Sequence, residues 1–178
     1  MPLAPLTEKP QLVYTDARFT KGGRTFEAPV DGCTAAIAVV VYVRRTRCFH
    51  HAFLEITGRW LEWVFTHKEQ YIGPLEALAA AAAYATFPDL LAGSLVLHFI
   101  DNQGTLAHVV SGSARDRDCS RIAHACSAAT LRLRCRVWYE YVASAANISD
   151  LPTRDEFAML RRLGSTARAL VLPRLPLF

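Results

Sequence analysis

Short apolar runs follow one another through the first third of the chain in the pattern of β-strands. Residues 11–17 alternate between apolar and polar side chains, and residues 34–43 are mostly alanine, valine and isoleucine. The first run predicts a strand, and the second predicts a strand that is buried on both faces. Residues 49–56 and 60–65 have similar aromatic and β-branched character around Gly58, so they predict further strand segments.

Helical and strand patterns alternate through the rest of the chain. Gly73 and Pro74 precede an alanine-rich run over residues 75–84, and a proline in the first turn favours the start of a helix. Residues 94–101 have an almost wholly apolar interior, which predicts a central strand covered on both faces. The remaining predicted elements are helices over residues 103–110, 116–133 and 154–163, a strand over 137–142 and a loop over 144–149.

This order, with strands first and then helices alternating with strands, predicts an α/β fold. Its front end is an antiparallel sheet to which parallel strands are added. We expect one domain over residues 11–163, because 178 residues with 52% hydrophobic content provide one core of ordinary size. Residues 1–10 contain three prolines and are interpreted as a leader or linker, and residues 164–178 as a C-terminal extension.

The positive charge of the chain comes mainly from arginine. The net charge is +4 at pH 7, and lysine occurs at Lys9, Lys21 and Lys68. Guanidinium groups suit phosphate oxygens because they donate hydrogen bonds in a planar fork, so the charge is compatible with a polyanionic partner. An ordinary solvated basic surface is the alternative. The candidate phosphate-binding side chains are Arg44, Arg45, Arg47, Arg115 and Arg117.

Cysteine usage and hydropathy restrict the compartment in which we expect the protein. The chain has five cysteines and no Cys-x-x-Cys pair, which favours neither a disulfide framework nor a zinc site. We therefore expect buried thiols in an intracellular protein, whether cytoplasmic, nuclear or in a virion. The opening residues lack the features of a secretory signal. The alanine-rich segment 71–92 contains Glu76, Pro88 and Asp89, so no membrane span is expected.

Four acidic residues stand at places where predicted elements could direct them to one point. Asp16 and Asp101 end two strands, and Glu76 lies on the alanine-rich helix. Asp150 precedes the last predicted helix. Carboxylates are costly to bring together unless positive charge lies between them. A cluster of these four acids therefore indicates divalent metal ions, and hard oxygen ligands suit Mg²⁺ or Mn²⁺.

The stretches around the four acids resemble those of ribonuclease H domains. These stretches are Tyr14-Thr15-Asp16-Ala17, Glu76-Ala77-Leu78-Ala79, Phe99-Ile100-Asp101-Asn102 and residues 147–154. The last is similar to the Asn-x-x-Ala-Asp-x-x-Ser-Arg ending of ribonuclease H domains in retroelements, most closely the DIRS-like and pararetroviral type, although Ser149 stands where the alanine is expected. The resemblance covers roughly residues 11–163.

The resemblance implies a ribonuclease H-like fold, a central five-stranded mixed sheet of three antiparallel and then parallel strands, with helices on both faces. It implies a catalytic site with two Mg²⁺ or Mn²⁺ ions about 4 Å apart, which would hydrolyse the RNA strand of an RNA–DNA hybrid. Asp16 would bridge both ions, and Asp101 and Glu76 would share one. Asp150 would hold the other. A further implied partner is the polymerase domain of a reverse transcriptase.

The resemblance also implies where the hybrid is contacted. Recognition of the RNA strand requires contacts to 2′-hydroxyl groups in the minor groove and to phosphates. The residues placed for these contacts are Ala17, Arg18, Asn102, Gln103 and Asn147. The chain departs from cellular ribonucleases H in two ways: residues 143–146 contain no histidine, and no lysine-rich basic protrusion is evident. We therefore expect weaker binding of the hybrid by this domain alone.

Two other interpretations share the fold and differ in function. Exonucleases, junction resolvases and transposases use similar acids on other nucleic-acid substrates. Domains of this fold also serve as non-catalytic modules that bind proteins or nucleic acids, usually after loss of acids. The presence of all four acids favours a nuclease, and the short first segment favours ribonuclease H among nucleases.

Overall fold

The computed structural model describes residues 9–20, 33–66 and 71–175, so residues 1–8 of the predicted leader lie outside it. The strands within these ranges are β1 (Gln11–Thr20), β2 (Thr34–Val43), β3 (Cys48–Ile56), β4 (Leu95–Ile100), β5 (Arg136–Tyr141) and β6 (Thr166–Ala169). The helices are α1 (Gly58–Val64), α2 (Ile72–Thr86), α3 (Pro88–Leu91), α4 (Gln103–Ser111), α5 (Arg117–Arg132), α6 (Asp150–Thr153) and α7 (Phe157–Arg162). A 3₁₀ turn spans Ser144–Ala146.

The strands form a mixed sheet in the order β5-β4-β1-β2-β3-β6. β1, β2 and β3 pair antiparallel, and β4 and β5 add parallel strands beside β1, as the sequence predicts. The expected five strands become six because Thr166–Ala169 pairs parallel with β3. These four residues have no apolar alternation, so their strand structure depends on backbone pairing with the edge of β3.

The helices lie on both faces of the sheet, as expected. Thr15 is hydrogen-bonded to His98, which contacts Tyr84 of α2, whereas the next residue, Asp16, accepts a hydrogen bond from Thr153 of α6. Successive strand residues point to opposite faces, so α2 and α6 lie on opposite sides. We call the side of α2, α4 and α5 the helical face and the side of α6 and α7 the open face.

α2 is the central helix of the core. Its alanines allow close approach to the sheet, and its residues are buried on nearly every side because it packs against both β1 and α5. Pro74 lies in its first turn, where the missing N–H would have no intrahelical partner. Within the described residues, no helix has the length and apolar character required to cross a bilayer.

The strand predicted over residues 60–65 is wrong, because this segment belongs to helix α1. Thr57 caps the helix by accepting a hydrogen bond from the Trp60 N–H. Leu61 and Phe65, four residues apart, are buried on one side of it. Aromatic content favoured a strand, but the 3–4 spacing of the apolar residues and the threonine cap favour a helix.

The helix predicted over residues 154–163 is shorter in the structure, where α7 begins at Phe157 and ends at Arg162. A separate short helix, α6, ends at Thr153, directly before the predicted segment. Asp155 between them has a φ of 64°, in the left-handed region that a continuous right-handed helix does not allow. The break brings Phe157 against Phe53 of β3, with ring centroids 5.4 Å apart.

Candidate active site

Asp101 directly follows β4, and Asp16 lies beside it within β1, where the pairing of β1 with β4 ends. The prediction that the first strand ends at Asp16 is wrong, because β1 continues to Thr20 by pairing with β2. Thr15 and Ile100 are partners in the parallel β1–β4 pairing, and each acid follows its partner by one residue. Asp16 is buried, with 6% of its surface exposed, and Asp101 is half-buried. The parallel register therefore places the two carboxylates side by side. We call this end of the sheet the carboxylate end.

Glu76 reaches the same place from the first turns of α2, at the helical face. It is 8% exposed, and its charge interacts with those of Asp101 and Asp16. Asp150 approaches from α6 on the open face, and its charge also acts on Asp16. The other three acids predicted from the sequence are therefore within electrostatic reach of Asp16.

Burial and mutual repulsion favour the protonated forms of two of these acids. Burial, followed by the charges of Asp101 and Asp16, raises the pKa of Glu76 to about 8, against a lowering effect of the Asn102 side chain. Burial also raises the pKa of Asp16 to about 6, although the hydrogen bond from Thr153 lowers it. The charges of Asp101 and Asp150 raise it further. The negative charges of the neighbouring acids thus add to the effect of burial on both carboxyl groups.

Two carboxylate oxygens of the site are buried without a hydrogen-bond partner, Oε2 of Glu76 and Oδ1 of Asp101. Unpaired buried carboxylate oxygens are costly, and a hard divalent cation is the ligand that satisfies them. The donor set therefore fits Mg²⁺ or Mn²⁺. In the described part of the chain, no three acidic, histidine or cysteine side chains are grouped closely enough to hold an ion as they stand.

The other two acids are engaged by neighbouring side chains. Thr153 donates to Asp16, and Arg154 binds both oxygens of Asp150 at 2.8 Å, through Nε to Oδ1 and through Nη2 to Oδ2. It was not predicted from the sequence that Thr153 and Arg154 bind these acids. They follow Asp150 by three and four residues, a spacing at which side chains of one helical turn are neighbours, and this spacing could have identified them.

A buried amide joins the loop before α6 to the site. Asn147 is 3% exposed, and its Nδ2 donates to the carbonyl oxygen of Thr15 at 3.1 Å. Its Oδ1 accepts hydrogen bonds from the backbone N–H and the hydroxyl of Ser149. Asn147, predicted to contact substrate, is thus engaged in holding the α6 loop against β1.

The other predicted substrate residues surround the carboxylates. Ala17 is buried directly after Asp16, and Arg18 pairs with Asp155 at 3.0 Å. Asn102 caps α4 through its Oδ1 and lies beside Glu76. Gln103, the first residue of α4, is exposed. All four lie at the carboxylate end.

The candidate arginines are not gathered around the acids. Arg44 donates its backbone N–H to the side chain of Gln11, at the start of β1. This end lies five residues, or about 17 Å, from Asp16. Arg45 and Arg47 occupy the same turn. Arg115 lies just before α5, and Arg117 is its first residue. Neither is among the groups whose charges shift the pKa of Asp16 or of Glu76.

A buried polar network that sequence reasoning missed lies directly behind Asp16. The fully buried His98 of β4 is hydrogen-bonded to the Thr15 hydroxyl at 3.0 Å and the Tyr84 hydroxyl at 2.9 Å. Burial lowers the pKa of His98 to about 3, so the ring is neutral. The network fixes β4 against β1 one residue before the acid. The sequence feature that could have indicated this network is a histidine within the apolar run over residues 94–101.

The segment between α4 and α5 is short. Gly112, with a φ of 69°, ends α4 in the left-handed conformation that glycine adopts without strain, and α5 begins five residues later at Arg117. No helix of the described residues is inserted there as a basic protrusion.

No protein-family model matches the chain. No curated protein sequence matches it either. Solved structures of low sequence identity do match the chain. The N-terminal RNase H domain of Rv2228c from Mycobacterium tuberculosis is 15% identical with a TM-score of 0.57, covering 85% of this chain and 96% of that one. RNase H1 from Halobacterium salinarum is 14% identical with a TM-score of 0.53, over 83% of this chain and 99% of that one.

A third similar structure is LC11-RNase H1, isolated from compost by a metagenomic approach. It is 17% identical with a TM-score of 0.55, over 84% of this chain and 98% of that one. The same protein has been solved in complex with an RNA/DNA hybrid, at a TM-score of 0.53. With the mixed sheet and helices on both faces, these similarities show that the chain has the ribonuclease H fold.

Proposed function

We propose that the protein is a metal-dependent endoribonuclease that hydrolyses the RNA strand of RNA–DNA hybrids. The observation that carries the proposal is the pair of unpaired buried oxygens, on Glu76 and Asp101, beside the buried carboxylate of Asp16. A structural scaffold does not need such an arrangement, because it destabilises the fold. The solved complex of a protein with the same fold and an RNA/DNA hybrid supports the choice of substrate.

Each acid has a proposed role toward two divalent ions. Asp16 would contribute to the sites of both ions, since its charge interacts with those of Asp101 and Asp150. Glu76 and Asp101 would hold one ion, and Asp150, which now pairs with Arg154, would hold the other. When bound, the ions supply an activated water and stabilise the leaving oxygen of the phosphodiester.

The chain itself orients these groups and controls their protons. Thr153 fixes the Asp16 carboxylate and favours its ionised form, because a hydrogen bond to a carboxylate lowers its pKa. Asn102 and Thr105 act in the same direction on Glu76. Asn147 holds the loop that carries Asp150 against the backbone of Thr15. The four carboxylates therefore come from β1, α2, α6 and the residue that directly follows β4.

Cleavage of a labelled hybrid tests the proposal. In Mg²⁺ or Mn²⁺, the protein should cut the RNA strand, and Asp101→Asn should reduce the rate by at least about a thousandfold, because a metal ligand is lost. The matched control is Glu62→Gln, which removes one acid from an exposed position on α1. Equal loss in both variants, or no cleavage by the folded parent in either metal, would contradict the proposal.

The substrate panel distinguishes this activity from other nucleases of the fold. Hybrid, duplex DNA, single strands and a four-way junction should be offered at equal concentration. We expect cleavage of the hybrid alone, at the RNA strand, leaving a 3′-hydroxyl and a 5′-phosphate. Preferred cleavage of the junction or of DNA would support the proposed metal site and contradict the proposed hybrid substrate.

We also infer that the domain acts together with a reverse transcriptase polymerase of the retroelement type, inside the cell or a virion. The sequence after the 3₁₀ turn, Asn147 to Arg154, supports this association, and so does the short connection between α4 and α5. A domain without a basic protrusion needs another source of hybrid affinity. Adding such a polymerase domain in trans should lower the hybrid concentration required for half-maximal cleavage.

A further inference from the structure

A row of large apolar side chains crosses the open face of the sheet. Its members are register partners on five adjacent strands, and partners in register point to the same face. In spatial order they are Trp138, Leu97, Leu12, Tyr42 and Phe49. This set, called here the aromatic row, lies four residues along β1 from Asp16, or about 13 Å away.

A second pair of aromatic rings connects the aromatic row to the carboxylates. Tyr14 and Phe99 stack with ring centroids 4.7 Å apart and an interplanar angle of 17°. They follow Leu12 and Leu97 by two residues and precede Asp16 and Asp101 by two. Aromatic rings and acids therefore share one face, in layers along the strands.

This part of the open face is accessible. Trp138 is 66% exposed, whereas Val96 and His98, which point to the helical face, are fully buried. Among the described elements, α6 and α7 lie on the open face, and they contact its carboxylate end at Asp16 and Phe53. Leu12, Tyr42 and Phe49 remain half-buried beyond them.

Arginines line the end of the sheet next to the aromatic row. Arg44, Arg45 and Arg47 occupy the β2–β3 turn, and Arg132, Arg134 and Arg136 end α5 and begin β5. The described segments at this end, residues 43–48, 87–95 and 131–136, contain one acidic residue, Asp89. Arg168 pairs with Asp89 through two hydrogen bonds, of 2.6 and 2.9 Å. The end is therefore strongly positive, and we call it the arginine end.

Two further observations favour a functional role for these arginines. Arg47 and Arg134 have φ values of 56° and 54°, in the left-handed region where glycine would avoid a cost of about 1 kcal/mol. The charge of Arg44 also acts on the pKa of the Tyr14 hydroxyl, lowering it against the stronger raising effect of burial. The arginine charge therefore reaches the aromatic surface.

We propose that the open face binds single-stranded nucleic acid, with bases stacked on the aromatic row and phosphates held at the arginine end. Exposed aromatic rings on a sheet beside cationic side chains are the arrangement that binds unpaired bases. From β5 to β3 the row spans about 19 Å, because five adjacent strands lie about 4.8 Å apart. The arginine end has six arginines and one acid, Asp89, which is already paired with Arg168. An apolar protein partner would gain nothing from this positive charge.

The surface is separate from the catalytic groups, so its occupancy is measured without cleavage. The Asp101→Asn protein, in EDTA, is titrated into fluorescein-labelled 12-nucleotide strands of uridine or of deoxythymidine, and anisotropy is followed at several salt concentrations. One variant in this background is Trp138→Ala, with the control Trp63→Ala, which removes a tryptophan that is 83% exposed on α1. Arg44→Gln/Arg45→Gln is compared with Arg115→Gln/Arg117→Gln, before and at the start of α5, at the other end of that helix from Arg132.

The parent should bind both strands, and a preference for the RNA strand would indicate contacts to the 2′-hydroxyl. Trp138→Ala should weaken binding about tenfold, since one stacked base is lost. Arg44→Gln/Arg45→Gln should reduce the slope of log affinity against log salt by up to about 1.4. The control variants should change neither value.

Three results would overturn the proposal. Absence of binding at about 100 µM protein in low salt would leave the open face to a protein partner. Parent-like affinity of Trp138→Ala would exclude stacking on the row. Equal loss of salt dependence in both arginine pairs would show that the charge is not localised at the arginine end. Circular dichroism melting curves establish that each variant is folded, and the exposed positions of the substituted side chains favour this.

Discussion

The hydroxyl of Thr153 donates a hydrogen bond to Oδ2 of Asp16, joining a short helix to a strand 137 residues earlier in the chain. The same hydroxyl oxygen lies 3.0 Å from the carbonyl oxygen of Asp150, a second acceptor. Thr153 thus contacts the carboxylate of one acid and the backbone of another. It is the side chain through which the position of α6 is coupled to the charge of Asp16.

Thr153→Val should shift the pH dependence of hybrid cleavage to higher pH. The hydrogen bond lowers the pKa of Asp16, which burial raises to about 6, so its removal raises that pKa further. Metal binding requires the ionised carboxylate, so activity should fall most at low pH. We expect about a tenfold loss at pH 6.5 and a smaller loss at pH 8.5, measured as initial rates of hybrid cleavage.

Thr153→Ser provides the matched control, because serine retains the hydroxyl and loses one methyl group. Its pH profile should follow that of the parent. A Thr153→Val enzyme with a uniform loss at every pH would show that the residue acts through packing of α6 and not through the charge of Asp16.

Arg154→Gln should increase the affinity for Mg²⁺ or Mn²⁺. Arg154 binds both oxygens of Asp150 at 2.8 Å and competes with a cation for this carboxylate. The pair is exposed on the arginine side, so its loss should change metal affinity by about two- to fivefold. Titration calorimetry measures this, with Arg161→Gln as the control. Weaker metal binding in Arg154→Gln would mean instead that the arginine holds Asp150 in the binding position.

The metal-free protein should lose stability as pH rises between about 6.5 and 8, where the titration of Glu76 is not opposed by that of His98. Glu76 has its pKa raised from 4.5 to about 8 in the folded protein, so the folded state binds more protons than the unfolded state within this window. The free energy of unfolding therefore falls with increasing pH there. Melting temperatures in EDTA should show this decline, and Glu76→Gln should reduce it. If the melting temperature of Glu76→Gln declined with pH by the same amount, the decline would come from other titratable groups.

The central strands and the four acids could be predicted because their signals are local. Apolar alternation identifies β1 and β4. An acid follows the apolar run in each case, although only Asp101 marks the end of its strand, since β1 continues past Asp16 to Thr20. Glu76 could be placed on its helix from the alanine-rich composition and Pro74. The adjacency of Asp16 and Asp101 required in addition the parallel pairing of β1 with β4, which the resemblance to ribonuclease H supplied.

The parts that could not be predicted depend on tertiary contacts. β6 has no apolar pattern and becomes a strand by pairing with β3. The helix break at Asp155 is set by a left-handed φ and by the packing of Phe157 on β3. The hydrogen bonds of Thr153 and Asn147 connect residues 137 and 132 positions apart. No local pattern identifies such partners.

His98→Phe should destabilise the fold by about 2–4 kcal/mol, because it removes the buried imidazole to which the hydroxyls of Thr15 and Tyr84 are hydrogen-bonded. Urea unfolding at pH 7 measures this, and Tyr84→Phe, which breaks one of the two bonds, should cost less. The substitution should also change the acid limb of the stability curve. The pKa of His98 is lowered from 6.5 to about 3 in the folded protein, so at this side chain the unfolded state binds more protons between these values. The contribution of His98 to stability therefore falls as pH decreases from 6.5 towards 3, opposite in sign to the contribution of Glu76 above pH 4.5. His98→Phe should flatten that fall, whereas an unchanged acid limb would show that the buried imidazole is not its source.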